Sequence, residues 1–180
     1  MKKQLIFAVI SAAILGLGVW RYVTLNNRYP APTTKEYRCS DTVEYGGITL
    51  SATGHYFVDS NEAQTLFSDE YEAGHRPQCV VVELKLTNLS QEQRQIALYP
   101  FILESQTWKN GIHLQAFMEM NSFLSTPTLN PTLEPGQTLS LKLPFVMIKD
   151  QFSSKAWTSV KSRDYRLVLS LYPTKTVVCV

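Results

Sequence analysis

Cys79-Val80-Val81-Val82-Glu83-Leu84-Lys85-Leu86-Thr87-Asn88 decides the fold. Val82, Leu84 and Leu86 point one way and Glu83, Lys85 and Thr87 the other, the period-2 pattern of a half-buried strand. A strand of this kind must bury its apolar side against a second layer. The same grammar repeats on both sides of it. Upstream, Thr42–Tyr45 and Ile48–Ala52 flank Gly46-Gly47, a two-residue turn pair, so a hairpin is expected there, extended onward to Phe57. Downstream, Gln95–Leu103 carries Pro100 and reads as an edge strand or bulge. Thr107–Leu114 contains Asn110-Gly111, a strong hairpin signal. Glu134-Pro135-Gly136-Gln137 is a turn ahead of Thr138–Val146, where Leu139, Leu141, Leu143 and Phe145 alternate with other residues. Tyr165–Leu171 and Val177–Val180 are the last strands.

Between these lie three segments of other character. Asp59–Glu72 opens like a helix, with Glu62 in its first turn and Leu66 and Phe67 as a small apolar face. Met118–Leu133 is irregular, with Pro127 and Pro131, and Met147–Arg163 is a connection pegged by Phe152 and Trp157. The expected fold is all-β: an antiparallel β-sandwich of seven to eight strands with one short helix.

A single membrane helix is expected ahead of the sandwich. Lys2-Lys3 precede an uncharged run from Leu5 to Trp20, followed by Arg21-Tyr22. The run is about 24 Å of helix, and counting on to Val23 reaches a full span with Arg21 snorkelling to the headgroups. Trp20 and Tyr22 sit where aromatic belts form. A cleaved signal peptide is the rival reading, but the run ends in bulky Val19-Trp20-Arg21-Tyr22 rather than small residues. The first cysteine, Cys39, is too far downstream to be lipidated. The expected organisation is a cytoplasmic 1–4, a signal anchor over 5–23 held in lipid from Leu5 to Val23, an extended stalk over 24–40 with Pro30 and Pro32, and the sandwich over 41–180 outside the membrane.

Charge follows the same division. Lys2, Lys3, Arg21 and Arg28 account for four of the 17 basic residues, leaving 13 basic against 15 acidic, a net of −2 for the remainder. A near-neutral domain has no electrostatic footprint for nucleic acid. Three cysteines, Cys39, Cys79 and Cys179, allow one bridge in an oxidising compartment. Cys39–Cys179 closes the longest loop, and three buried thiols is the competing reading.

The order of the motifs resembles the telokin-like immunoglobulin-fold domains of Gram-positive surface proteins. In those, a "V-x-V-x-N" strand precedes a turn and "L-x-P-G" precedes a sheet strand. Val82–Asn88 and Leu133-Glu134-Pro135-Gly136 fill those places here, and Leu167–Pro173 resembles the end of related small anchored proteins. The resemblance implies an immunoglobulin-like sandwich exposed at the cell surface of a Gram-positive bacterium, and it lends no catalytic residue.

Chemistry-bearing constellations are sparse. His55, His75 and His113 are far apart and lack zinc-type pairing. There is no G-x-S-x-G elbow, so an envelope hydrolase is the weakest reading. His113, Met118 and Met120 are a soft-ligand set suited to copper(I), with the two methionines on one face if the chain is extended. Asp59–Gln64 fails as a calcium loop, since Ala63 and Gln64 stand where Asp or Asn and then Gly belong. The sequon Asn88-Leu89-Ser90 is read as coincidence. The leading expectation is a non-catalytic interaction module without a cofactor, binding a protein or envelope ligand at the cell surface. In a variant it is an immunity protein against an exported toxin. Asp59, Glu62, Asp69, Glu70 and Glu72, with Trp108 and Lys109 on the hairpin, form the expected binding surface.

Overall fold

A computed structural model of the chain describes residues 2–67 and 77–180, with backbone alone at 2–10, 60, 64 and 65. Two sheets enclose one core. The first sheet has the order β1-β11-β10-β6-β7: β1 (Thr33–Tyr37), β6 (Ile102–Ser105), β7 (Trp108–Gly111), β10 (Arg166–Ser170) and β11 (Thr174–Cys179). The second has the order β2-β3-β4-β9: β2 (Val43–Tyr45), β3 (Ile48–Phe57), β4 (Gln78–Thr87) and β9 (Thr138–Met147). A two-strand ribbon joins β5 (Arg94–Gln95) to β8 (Thr132–Leu133). The expected β-sandwich is present.

The alternation in β4 sets the core. Val80, Val82, Leu84 and Leu86 face inward and meet Leu103, Leu167 and Val178 from the other sheet. Each such burial stabilises by about 1.5–3 kcal/mol. Pro144 sits in β9, which is an edge strand, where its missing N–H costs no ladder bond. Gly46 and Gly47, at φ +60 and +77, form the β2–β3 turn, a conformation that favours glycine at both places.

Two buried amides close the ends of this frame. Asn88 is fully buried after β4; its Nδ2 donates to the Glu92 and Leu133 carbonyls at 2.8 and 2.9 Å. Its Oδ1 accepts from the Ser90 amide and hydroxyl. All four of its hydrogen-bonding places are filled by protein, so the sequon is structural. Asn121, also fully buried, exchanges a pair of 2.9 Å bonds with the backbone of Lys142 and closes part of the free edge of β9.

The helices differ from expectation. α1 runs Lys2–Arg28, 27 residues. Among residues with described side chains, which begin at Ser11, no helix is long and apolar enough to cross a membrane. α2 (Ser60–Leu66) is the expected short helix, capped by the Asp59 carboxylate accepting from the Asn61 amide. α3 (Leu114–Met120) runs from the end of the expected hairpin into the segment read as irregular, and α4 (Ser154–Thr158) lies in the segment read as a connection. The stalk is also shorter than expected. Thr33–Tyr37 pairs parallel with β11, Thr33 opposite Thr174, and leaves only residues 29–32 as a linker. An open edge on β11 supplies what no local pattern shows, a row of backbone partners.

The β6–β7 hairpin turns at Gln106-Thr107, with Gln106 at φ 54 and Ser105 opposite Trp108. Asn110-Gly111 is therefore not the turn. Instead, the Asn110 amide donates to the Val146 carbonyl of β9 at 2.8 Å and ties the two sheets together at their edges.

At the corner before β10, Tyr165 is buried and its hydroxyl donates to the Val160 carbonyl at 2.7 Å. Burial pushes that hydroxyl up to about 12, against a smaller opposing effect of Arg163. Between about pH 10 and pH 12 the unfolded chain loses this proton while the folded chain keeps it, so stability falls as pH rises through that window. Tyr165→Phe is expected to lower stability at neutral pH by about 1–3 kcal/mol and to flatten the alkaline limb, read by urea unfolding at several pH values. Asn88→Ala is expected to cost about 2–4 kcal/mol, with the urea midpoint moving and the slope unchanged.

Candidate binding surfaces

The outer face of β4 changes character halfway along. Cys79 and Val81 are apolar, and Glu83, Lys85 and Thr87 are polar. β9 mirrors it, with Val146 beside the first pair and Lys142, Ser140 and Thr138 beside the second. α2 and α3 therefore lie over one half only, where Ala63, Phe67 and Ala116 pack on Cys79, Val81 and Val146. The polar half stays open as a groove of about 550 Å³ lined by Thr53, Glu83, Lys85, Phe123, Ser140 and Lys142, among others. Phe123 is 64% exposed at its rim. The turn that carries it is held by Asn121, whose Nδ2 also donates to the Phe117 carbonyl at 2.7 Å. A water-facing aromatic ring on an anchored turn, in a groove also lined by two ammonium groups, a carboxylate and hydroxyls, suits an extended polar chain with an apolar side group.

A second cleft, about 350 Å³, lies beside the first sheet between Glu104, Ser105, Gln106, Asp164, Arg166 and Lys175. Its charges are largely paired. Lys175 Nζ donates to both Glu104 oxygens at 2.7 and 2.9 Å, and Arg166 reaches Glu36 at 3.3 Å. These pairs stitch β11 to β6 and β10 to β1, each contributing little where solvent-exposed.

Of the expected surface, Asp59 is a helix cap and Glu62 is exposed on α2. Asp69, Glu70 and Glu72 lie outside the described residues. Lys109 is exposed, but Trp108 is a core residue at 7% exposure. Its Nε1 donates to Gln151 Oε1 at 3.1 Å, and its ring lies 6.0 Å from Phe152 and 6.4 Å from Tyr165. Position opposite inward-facing Ser105 turns it into the core, so it is withdrawn from the surface. Of the described residues, Asp59, Glu62 and Lys109 share one end of the sandwich. β3 leads into α2 there, and Phe57 at its end lies 5.9 Å from the Tyr165 ring beside Trp108.

The soft-ligand set is on a helix rather than an extended strand. Met118 and Met120 therefore point about 160° apart, and the shared-face argument fails. His113 Nδ1 accepts from the Ala116 amide as the cap of α3, and its ring meets Phe67 edge-on at 5.0 Å. Among the described residues no group of three or more His, Cys, Asp or Glu side chains is gathered to hold a metal ion. Phe123 was invisible to sequence reading because it follows a helix that no periodicity announced. The groove floor was legible as the polar side of β4.

All three cysteines are free, so the expected Cys39–Cys179 bridge is absent. Cys179 alternates with Val178 and Val180, which pack on the core, so it takes the outer side of its sheet. Cys39 Sγ instead donates to the Ala52 carbonyl of the opposite sheet at 3.3 Å. Burial pushes the Cys79 thiol up to about 12. Iodoacetamide at neutral pH is expected to modify Cys39 first and Cys79 only on unfolding, as followed by peptide mass; early labelling at Cys79 contradicts this.

Solved structures of similar shape include several bacterial proteins. The yjhA protein from Bacillus subtilis aligns with a TM-score of 0.48 at 10% identity, covering 80% of this chain and 98% of that one. A conserved hypothetical protein from Bacillus anthracis aligns at 0.45 and 14%, covering 78% and 94%. An uncharacterised β-sandwich protein from Clostridium difficile 630 aligns at 0.46 and 9%, covering 82% and 95%. No curated protein matches the chain. The family found is not the telokin-like one, whose turn and strand motifs are of low specificity. A family model matches from β1 into β11, residues 34–176, and the chain belongs to that family, DUF5028, a domain of unknown function.

Proposed function

We propose that this chain is a membrane-tethered, extracytoplasmic, non-catalytic binding module with an immunoglobulin-like sandwich, and that it holds a protein partner in the groove under Phe123. The groove carries the reading. It is open rather than deep, its floor is ionic and hydroxylic, and its rim carries an exposed aromatic ring on an anchored turn, a combination suited to gripping a polypeptide segment.

Three features support the immunoglobulin-like description. β1 pairs parallel to the last strand at the sheet edge. β6, β10 and β11 form one sheet while β4 and β9 are neighbours in the other, the chain passing between sheets as in that fold. Tyr165 precedes β10 and reaches back five residues to Val160, the arrangement of a tyrosine corner. Leu167 stands two residues on, where antibody domains carry a cysteine.

The tether rests on the uncharged run Leu5–Trp20 and on the length of α1. Its 27 residues give about 40 Å, against about 30 Å for a bilayer core. Ile14, Leu15, Leu17, Val19 and Trp20 are all exposed on α1. Lys2-Lys3 favour a cytoplasmic start and an exported sandwich. In its narrower form the partner is an exported toxin, a reading carried by exposed Glu62 and the acidic residues that follow it in sequence. The binding-module reading stands ahead of copper(I) because α3 separates Met118 from Met120.

A photo-crosslinking residue in place of Phe123, in the full chain in its own cells, is expected to give a discrete protein adduct. Lys85→Glu with Lys142→Glu is expected to abolish it at unchanged membrane level. No adduct at 123, or one indifferent to the two lysines, counts against the groove.

A further inference from the structure

The end of the sandwich where the tether enters differs from the opposite end. β1 begins there at Thr33, next to Thr174 after the β10–β11 turn, and that turn presents Leu171 and Tyr172 at 55% and 52% exposure. β6 runs antiparallel to β10, so the loop leading into β6 is at the same end, and it presents Tyr99 at 67% exposure. Phe101 of that loop meets Tyr45 edge-on at 5.3 Å, which brings the Gly46-Gly47 turn of the second sheet to this end too. Thr49, just after that turn, is opposite Thr87, so the loop after β4 follows, with Leu89 at 71% exposure. Four large apolar or aromatic side chains in three loops thus crowd one end of the molecule.

The linker limits what can cover them. α1 ends at Arg28 and β1 begins at Thr33, so residues 29–32 span at most about 14 Å, and Pro30 and Pro32 stiffen them. We infer that these loops form a second membrane contact: Leu89, Tyr99, Leu171 and Tyr172 dock on the lipid surface and hold the sandwich end-on against it. This rests on the tether reading. Tyrosine suits the headgroup boundary, where its ring is buried and its hydroxyl stays wet. The nearby charges are mixed, with Arg94 paired to Glu92 at 3.0 Å, so the contact is apolar rather than a basic patch seeking anionic lipid. Docking in this pose turns α2, the β6–β7 turn and Lys109 away from the bilayer and leaves the groove facing sideways, open to a partner.

The test uses the full chain reconstituted in phosphatidylcholine vesicles with brominated acyl chains. Tyr172→Trp and Tyr99→Trp are expected to add emission that the bromines quench, and Tyr56→Trp, toward the far end of β3, to add emission that they do not. Placing Leu171→Asp and Tyr172→Asp in the Tyr99→Trp background is expected to abolish quenching at position 99 without shifting the melting temperature, since both side chains are exposed. A chain that fails to float with the vesicles overturns the tether and the docking together. A chain that floats with positions 172 and 99 unquenched overturns the docking alone, as does quenching that survives the two aspartates.

Discussion

β4 is buried on its inner face along its whole length and on its outer face only as far as Val81. Most of the architecture follows from that division. The inner row of Val80, Val82, Leu84 and Leu86 requires an opposing sheet, and the strands on either side, β3 and β9, inherit the same inner face. The outer pair, Cys79 and Val81, requires a cover, which α2 and α3 supply. Glu83 and Lys85 refuse one, because burying either charge unpaired costs far more than the area gained. The groove is thus the part of the sheet that packing leaves uncovered.

Polar groups finish what apolar burial begins. A sandwich has free edges and exposed strand ends, and each is a place where backbone groups want partners. Asn88 satisfies the turn after β4, Asn121 occupies the edge of β9 at Lys142, and Asn110 bridges β7 to β9. Two of the three are fully buried and the third is partly so, and their bonds run mainly to backbone, where an unmet group would be costly. Asn121 has a second consequence, since the turn it anchors carries Phe123.

The two ends of the sandwich present different chemistry. Where α1 leads into β1, Leu89, Tyr99, Leu171 and Tyr172 are exposed; at the opposite end, the aromatic side chains of Trp108 and Tyr165 are drawn into the core, and Glu62 and Lys109 are exposed. A linker of only four residues, 29–32, separates the N-terminal helix from the first of these two ends.

The sandwich, the Gly46-Gly47 and Pro135-Gly136 turns and the polar floor of the groove were legible in the chain. Each depends on a local period or on a backbone conformation that one or two residues dictate. α3, the pairing of β1 with β11, the true turn of the β6–β7 hairpin and the inward face of Trp108 were not. Each is decided by a distant partner: Phe67 and Val146 for α3, the open edge of β11 for Thr33–Tyr37, and Ser105 and Tyr165 for Trp108. By itself, then, the sequence determined a two-layer β fold and an apolar helix ahead of it, because alternation and unbroken hydrophobicity are properties of neighbours along the chain. Which residues remain exposed to meet a partner or a membrane was decided only by the tertiary structure, because exposure is what remains after every distant packing contact has been made.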